Sequence, residues 1–240
     1  MRHTRIKICG ITRPEDAALA AELGVDFIGL NFVAGPRKID LQRAQEILAV
    51  LPPGGKVTPV ALVRAEHTAG EEYQTPLLWD FMGAHLFAGQ RDLRTFQTYG
   101  PYPLDRFVAA PVAFSWWLVR QVESRDEVLN LPRLLRNFAA CPPQAIVLDA
   151  LSRGHLGGTG QSFDWNWLAA AQAESGKDGI VPPIVLAGGL KPENVAEAVR
   201  LARPYAVDLS SGVESGRAGI KDAGKMRDFV QAVRGAGEVH

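Results

Sequence analysis

Short apolar runs, each followed by a turn and then a helical period, recur along the chain. The clearest are Arg5–Cys9, Asp26–Phe32, Val57–Val63, Phe81–Phe87, Arg106–Val112, Ala145–Asp149, Pro183–Ala187 and Tyr205–Leu209. Each has the length of a strand, and the interval to the next leaves room for a crossover helix. Ile146-Val-Leu148 and Ile184-Val-Leu186 are wholly apolar rather than alternating. That is expected of parallel strands covered on both faces.

Helix signals are strongest near the two ends. Thr12-Arg-Pro-Glu15 has capping-box spacing, and Gly24 stands where a helix would stop. Asp40 is placed to cap a helix whose apolar face is Ala44, Ile47, Leu48 and Leu51. Met226, Phe229, Val230 and Val233 repeat the i, i+3, i+4, i+7 pattern in the last helix. The stretch from about 64 to 143 is weakly patterned. No linker or low-complexity tract divides the sequence, so residues 1–240 are expected to form one domain. Eight strand–helix units predict an α/β fold, a (β/α)₈ TIM barrel, with an open doubly wound sheet as the alternative.

Composition narrows the function classes. In 240 residues, 26 Lys and Arg balance 26 Asp and Glu. With no basic excess or basic run, a nucleic-acid partner is not expected. The longest charge-free stretch, Phe107–Val119, is short and broken by Pro111, so no membrane span is expected. The N-terminus runs into the first strand without an apolar leader, and only two cysteines, Cys9 and Cys141, occur. The expected setting is therefore a reducing cytoplasm without disulfides.

In a barrel of this kind the C-terminal strand ends face the active site. Cys9 and Asp149 stand at two such ends. Cys9 is either a buried structural thiol or a thiolate base or nucleophile. Asp149, terminating an apolar strand, is either a loop cap or ion-pair partner, or a general acid whose pKa is raised by its surroundings. Gly157-Gly158-Thr159-Gly160, Ala187-Gly188-Gly189 and Ser210-Ser211-Gly212 follow the last three strands. Their amides suit an anion cradle, and barrels commonly seat phosphate after strands seven and eight. Arg37, after strand two, is either an anion clamp or a solvated loop charge. Trp116-Trp117 is either a stacking platform or packing with an exposed edge. The five histidines are scattered, and none pairs at metal-ligand spacing. Neither a dinucleotide fingerprint nor a P-loop is present.

At these residues the sequence resembles the phosphoribosylanthranilate isomerase family. The resemblance rests on Lys-Ile-Cys-Gly-Ile-Thr at 7–12 and Gly-Gly-Thr-Gly-Gln-Ser-Phe-Asp-Trp at 157–165. It extends to Leu-Ala-Gly-Gly-Leu-Lys-Pro-Glu-Asn-Val at 186–195, Val-Asp-Leu-Ser-Ser-Gly-Val-Glu at 207–214 and Gly219-Ile-Lys-Asp222. It implies Cys9 as general base, Asp149 as general acid and Arg37 as substrate clamp. Substrate contacts are implied at Gly158, Gly188 and Gly189, and at Asp208, Ser210, Ser211 and Gly212. The implied reaction is an Amadori rearrangement of N-(5′-phosphoribosyl)anthranilate in tryptophan biosynthesis, with no metal or organic cofactor. The expected partner is a small phosphorylated substrate, on a monomer or homodimer.

The middle departs from the family. Its usual Val-Gln-Leu-His-Gly at strand four faces Ala84-His-Leu-Phe-Ala-Gly89, and its Val-Gly-Val-Phe faces Pro59-Val-Ala-Leu62. The competing expectations are an isomerase of another phosphorylated sugar and a non-catalytic barrel that binds a phosphorylated metabolite.

Overall fold

The eight strands close into one parallel barrel in chain order, β1 returning to β8. The structure, a computed structural model, describes residues 3–64, 93–99, 115–150, 163–175 and 182–237. The strands are β1 Arg5–Ile8, β2 Phe27–Asn31, β3 Thr58–Arg64, β4 Thr95–Tyr99, β5 Ser115–Val122, β6 Ala145–Ala150, β7 Ile184–Leu186 and β8 Ala206–Leu209. Six of them fall on runs the hydrophobic pattern picks out, and the open-sheet alternative is excluded by the β1–β8 pairing.

Strands four and five correct the sequence reading. Positions four and five of the barrel are taken by Thr95–Tyr99 and Ser115–Val122. The expected runs Phe81–Phe87 and Arg106–Val112 lie outside the described residues. The reason is chemical. Alternate positions of β4 point inward, and Gln97 and Tyr99 line a cavity there, so β4 never reads as an apolar run.

Two apolar layers hold the barrel. The larger lies between strands and helices and takes in Ile6, Ile8, Ile28, Leu30, Ile146 and Leu148 with the helix faces Ala44, Ile47, Leu48 and Met226, Phe229, Val230, Val233. The helices Leu41–Ala49 and Ala223–Ala236 thus bury the faces their periodicity predicts. Asp40 caps the first by accepting from the Arg43 amide at 2.8 Å, and Asp222 caps the second at the Lys225 amide, 2.9 Å. The expected capping box at Thr12 does not form. Arg13 is the N-cap of the helix Pro14–Glu22 and makes no side-chain cap bond. Thr12 Oγ1 instead donates to the Gly219 carbonyl at 2.5 Å, tying the first loop to the last.

The smaller layer fills the barrel's interior. Phe27, Val60, Trp117, Val147, Val185 and Ala206 meet there. Phe27 and Trp117 pack edge to face with centroids 5.0 Å apart, and the Arg5 guanidinium lies over the Tyr205 ring at 4.8 Å. Trp116 points the other way, onto Phe138. Both tryptophans are buried, so neither the stacking platform nor the exposed edge is realised.

Candidate active site

Above this aromatic plug the interior turns polar. Lys7 is completely buried, and β1 and β8 run in register so that Lys7 lies opposite Asp208. Their side chains meet at 2.7 Å, Nζ to Oδ2. Burial alone would lower the ammonium's pKa, but Asp208 and the Cys9 sulfur lift it above its ordinary value, so Lys7 is a cation at neutral pH. The other carboxylate oxygen, Asp208 Oδ1, is buried without a hydrogen-bond partner, as is Gln97 Oε1.

Cys9 lies one inward step beyond Lys7. It is buried, and that burial pushes its thiol up from the ordinary range against the pull of Lys7. Its place in the barrel depends on Gly29 of the neighbouring strand. A Cβ at Gly29 would stand 2.7 Å from Cys9 Sγ and 2.9 Å from its Cα, inside van der Waals contact. Gly29→Ala is therefore expected to cost about 1–3 kcal/mol, the usual range for overpacking, and to displace the sulfur. Urea unfolding and turnover together check this: a variant with the parent's midpoint and kcat means that β2 does not constrain Cys9.

Asp149 stands across the barrel on β6. Burial is the main cause that carries its carboxyl up to about 7, and the Asp208 charge adds to it. Gly188 backs it closely. A Cβ there would lie 2.5 Å from the Ala150 amide nitrogen and 2.9 Å from Asp149 Oδ1, and its φ is +86°, a left-handed conformation that glycine alone adopts without strain. Among the described residues Asp149 forms no salt bridge, and the loop it would cap, residues 151–162, lies outside them.

Cys9 and Asp149 open onto one cavity of about 100 Å³, shared by Arg37, Gly188, Gly189, Asp208, Ser210 and Ser211. Gly212 sits behind its wall, and Gly158 lies outside the described residues. Gly188 and Gly189 both have positive φ, and their amides donate to no backbone acceptor among the described residues. The loop ends at Asn194, whose side chain accepts from the Lys191 amide and donates to the Gly189 carbonyl. Ser210 Oγ donates to the Cys9 carbonyl at 3.0 Å. The two glycine-bearing loops and the thiol are thus one assembly.

Arg37 is not a solvated charge. Its Nε and Nη2 grip Glu214 at 2.7 and 2.8 Å. Glu214 also accepts from the Gly219 amide at 2.9 Å and from Lys221 Nζ at 3.3 Å. Burial would raise this carboxyl, but Arg37 and Lys221 together hold it down at about 2. Lys221 reaches on to the Ser210 carbonyl at 3.0 Å. Neither Glu214 nor Lys221 was singled out from sequence, although both lie in motifs that were.

Gln97 and Tyr99 were missed because strand four was sought elsewhere. Strand four is Thr95–Tyr99, whereas Ala84–Gly89, set against the family's strand-four motif, lies outside the described residues. The signal available was the run of β-formers Thr-Phe-Gln-Thr-Tyr. Burial holds the Tyr99 phenol well above its ordinary pKa, so it is a neutral hydroxyl, 3.4 Å from Gln97 Nε2. Among the described residues no group of three His, Cys, Asp or Glu side chains is placed to hold a metal.

One end of the cavity can seat an anion, and its middle holds a carboxylic acid facing a thiol. Comparison with known proteins points the same way. The family model for N-(5'phosphoribosyl)anthranilate (PRA) isomerase matches residues 115–232. An N-(5'-phosphoribosyl)anthranilate isomerase of Pseudomonas aeruginosa is 40% identical over 98% of this chain and 97% of its own. The crystal structure of phosphoribosyl anthranilate isomerase from Thermotoga maritima superposes with a TM-score of 0.72 at 28% identity, covering 97% of this chain and 99% of that one. A crystal structure of such an isomerase in complex with reduced 1-(o-carboxyphenylamino)-1-deoxyribulose 5-phosphate gives 0.70 at 28% identity, with the same coverage.

Proposed function

The chain belongs to the N-(5′-phosphoribosyl)anthranilate isomerase family, and we propose that Cys9 and Asp149 are the base and acid with which it performs that family's reaction. It is an isomerase of tryptophan biosynthesis. It converts N-(5′-phosphoribosyl)anthranilate by Amadori rearrangement into 1-(2-carboxyphenylamino)-1-deoxyribulose 5-phosphate.

The single observation that carries the residue assignment is that Cys9 and Asp149 face one cavity from opposite strands, one edge of which bears the Gly188–Gly189 and Ser210–Ser211 loops. The sugar phosphate is held by the amides and hydroxyls of those loops. Asp149, protonated, gives its proton to the ribose ring oxygen as the C1′–O bond breaks, leaving an iminium at C1′. Cys9, as thiolate, takes the proton from C2′, and the resulting enol relaxes to the ketone as its O2′ proton is lost to solvent and C1′ takes one up. Cys9 then ends as a thiol and Asp149 as a carboxylate. One proton passing from the first to the second through solvent resets the site. Asp208 Oδ1 is the buried acceptor available to a sugar hydroxyl, and Arg37, fixed by Glu214, lines the same cavity as a cation for the anthranilate carboxylate. Among the described residues no helix is long and apolar enough to cross a membrane.

The test is an assay with phosphoribosylanthranilate, whose fluorescence disappears on rearrangement. Loss of fluorescence that depends on Cys9 and Asp149 supports the assignment. Tight binding of the substrate without turnover would leave a metabolite-binding barrel instead.

A further inference from the structure

A lysine with no exposed surface inside a barrel demands an account. The Lys7 side chain has no exposed surface, and taking an ammonium out of water costs several kcal/mol before any partner is counted. An ion pair with Asp208 alone would be poorly justified, since an apolar pair of similar volume commonly serves stability as well or better. Barrel interiors are ordinarily packed with branched apolar side chains, and this one is so packed around Phe27, Val60 and Val147. The charge pair sits just where the apolar filling gives way to the cavity.

We propose that Lys7 is a positioning residue for the general base: its ammonium, fixed by Asp208 one inward step before Cys9, stabilises the thiolate. This rests on the assignment of Cys9 as base. Three cations face the sulfur: Lys7 from β1 itself, Lys221 from the loop after β8, and Arg37 from the loop after β2. Arg37 is spent on Glu214 in a two-pronged pair and Lys221 is shared between Glu214 and Ser210. Lys7 stands two residues before Cys9 on the same inward side of the chain, and its partner Asp208 lines the cavity onto which Cys9 opens. The opposing groups are the Asp208 carboxylate, the Asp149 carboxyl and the neutral Tyr99 phenol, all lining the same cavity. Asp208 therefore acts in two ways. It keeps Lys7 charged, and it competes with the sulfur for that charge.

The competition gives the test its sign. In a Cys141→Ser background, which leaves Cys9 as the one thiol, the alkylation rate by iodoacetamide is followed against pH in substrate-free protein. Lys7→Met is expected to move the inflection upward by about one to three units, the usual effect of removing an adjacent opposite charge. Alkylation at pH 7 and turnover then fall about tenfold per unit. Asp208→Asn, which leaves Lys7 wholly to the sulfur, is expected to move the inflection the other way. Because Lys7→Met strands a buried carboxylate, which destabilises the fold, Lys7→Met/Asp208→Asn removes both charges together. It is expected to fold and still to show the upward shift. If the double variant regains the parental inflection, Lys7 only balances Asp208 and the inference is overturned. An unshifted inflection in both Lys7 variants overturns it as well. If Cys9→Ala itself turns over normally, the assignment of the base fails, and that outcome is separable from the shift measured on the sulfur.

Discussion

Asp149→Asn and Cys9→Ala are each expected to lower kcat by about two to four decades, the usual worth of one proton-transfer group. Neither residue belongs to the phosphate loops, so KM should move little. The mechanism requires a protonated Asp149 beside an ionised Cys9. Burial has arranged the reverse: the carboxyl titrates at about 7 and the thiol above its ordinary range. The productive microstate is therefore the minor form of the singly deprotonated protein. Its population climbs as pH rises to about 7, stays level, and falls once the thiol itself titrates. The acid limb of kcat/KM thus belongs to Asp149, although Asp149 is the acid. In Asp149→Asn the residual activity should lose that limb and go on rising into the alkaline range. An unchanged limb near 7 would assign it to another group.

The same carboxyl leaves a mark on stability. Its pKa is raised in the folded protein, from 3.8 to about 7. The folded state then binds more protons than the unfolded one between those values, so stability falls as pH rises through that window and the deficit is complete above 7. Asp149→Asn removes the deficit. The variant should melt above the parent at pH 8 and level with it near pH 4, a trade of stability for an acid kept protonated at neutral pH.

Which parts of this site were legible follows from where each side chain's reason lies. Cys9, Asp149 and the glycine-rich loops are marked by position, at the ends of strands whose apolar runs are plain. Six strands, and with them the barrel, followed from those runs because their outward residues, Ile28 and Leu30 or Ile146 and Leu148, are buried under helices. Strand β4 fails that test because its inward positions serve the cavity: Gln97 and Tyr99 read as polar punctuation, and more apolar segments on either side drew the assignment away. Trp116 and Trp117, adjacent in sequence, separate onto opposite faces of β5, so a pair that suggests one function serves two layers. The Arg37–Glu214–Lys221 linkage was out of reach for another reason. It joins loops more than 170 positions apart, and no local pattern records which carboxylate a loop arginine meets. Gly29 is the instructive miss, since a glycine within an apolar strand is a signal of close backbone approach.

Gly212→Val is expected to raise KM about a hundredfold, the cost of a roughly one-ångström misplacement in a site, while kcat falls far less. Gly212 lies in the one-turn helix Ser211–Val213 that follows β8. A Cβ there would fall 2.1 Å from the Leu190 carbonyl oxygen and 3.2 Å from Lys191 Cα. Both are backbone atoms of the loop after β7, so no rotamer change relieves the clash and the loops must part. Those two loops supply the Gly188–Gly189 amides and the Ser210–Ser211 hydroxyls, and a phosphate needs them at one spacing. The acid and base stand on β6 and β1 and do not depend on that spacing, so the loss should be one of ground-state and transition-state binding alike, which reads out in KM. Inorganic phosphate provides the independent measure. It should compete with substrate in the parent and raise its melting temperature, by about 2.7 kcal/mol of stabilisation at a hundred times its Kd. In Gly212→Val that protection should be lost, with the phosphate-free melting temperature affected far less. A variant that still binds phosphate as the parent does would show that the anion is held elsewhere and that the contact between the loops is packing alone.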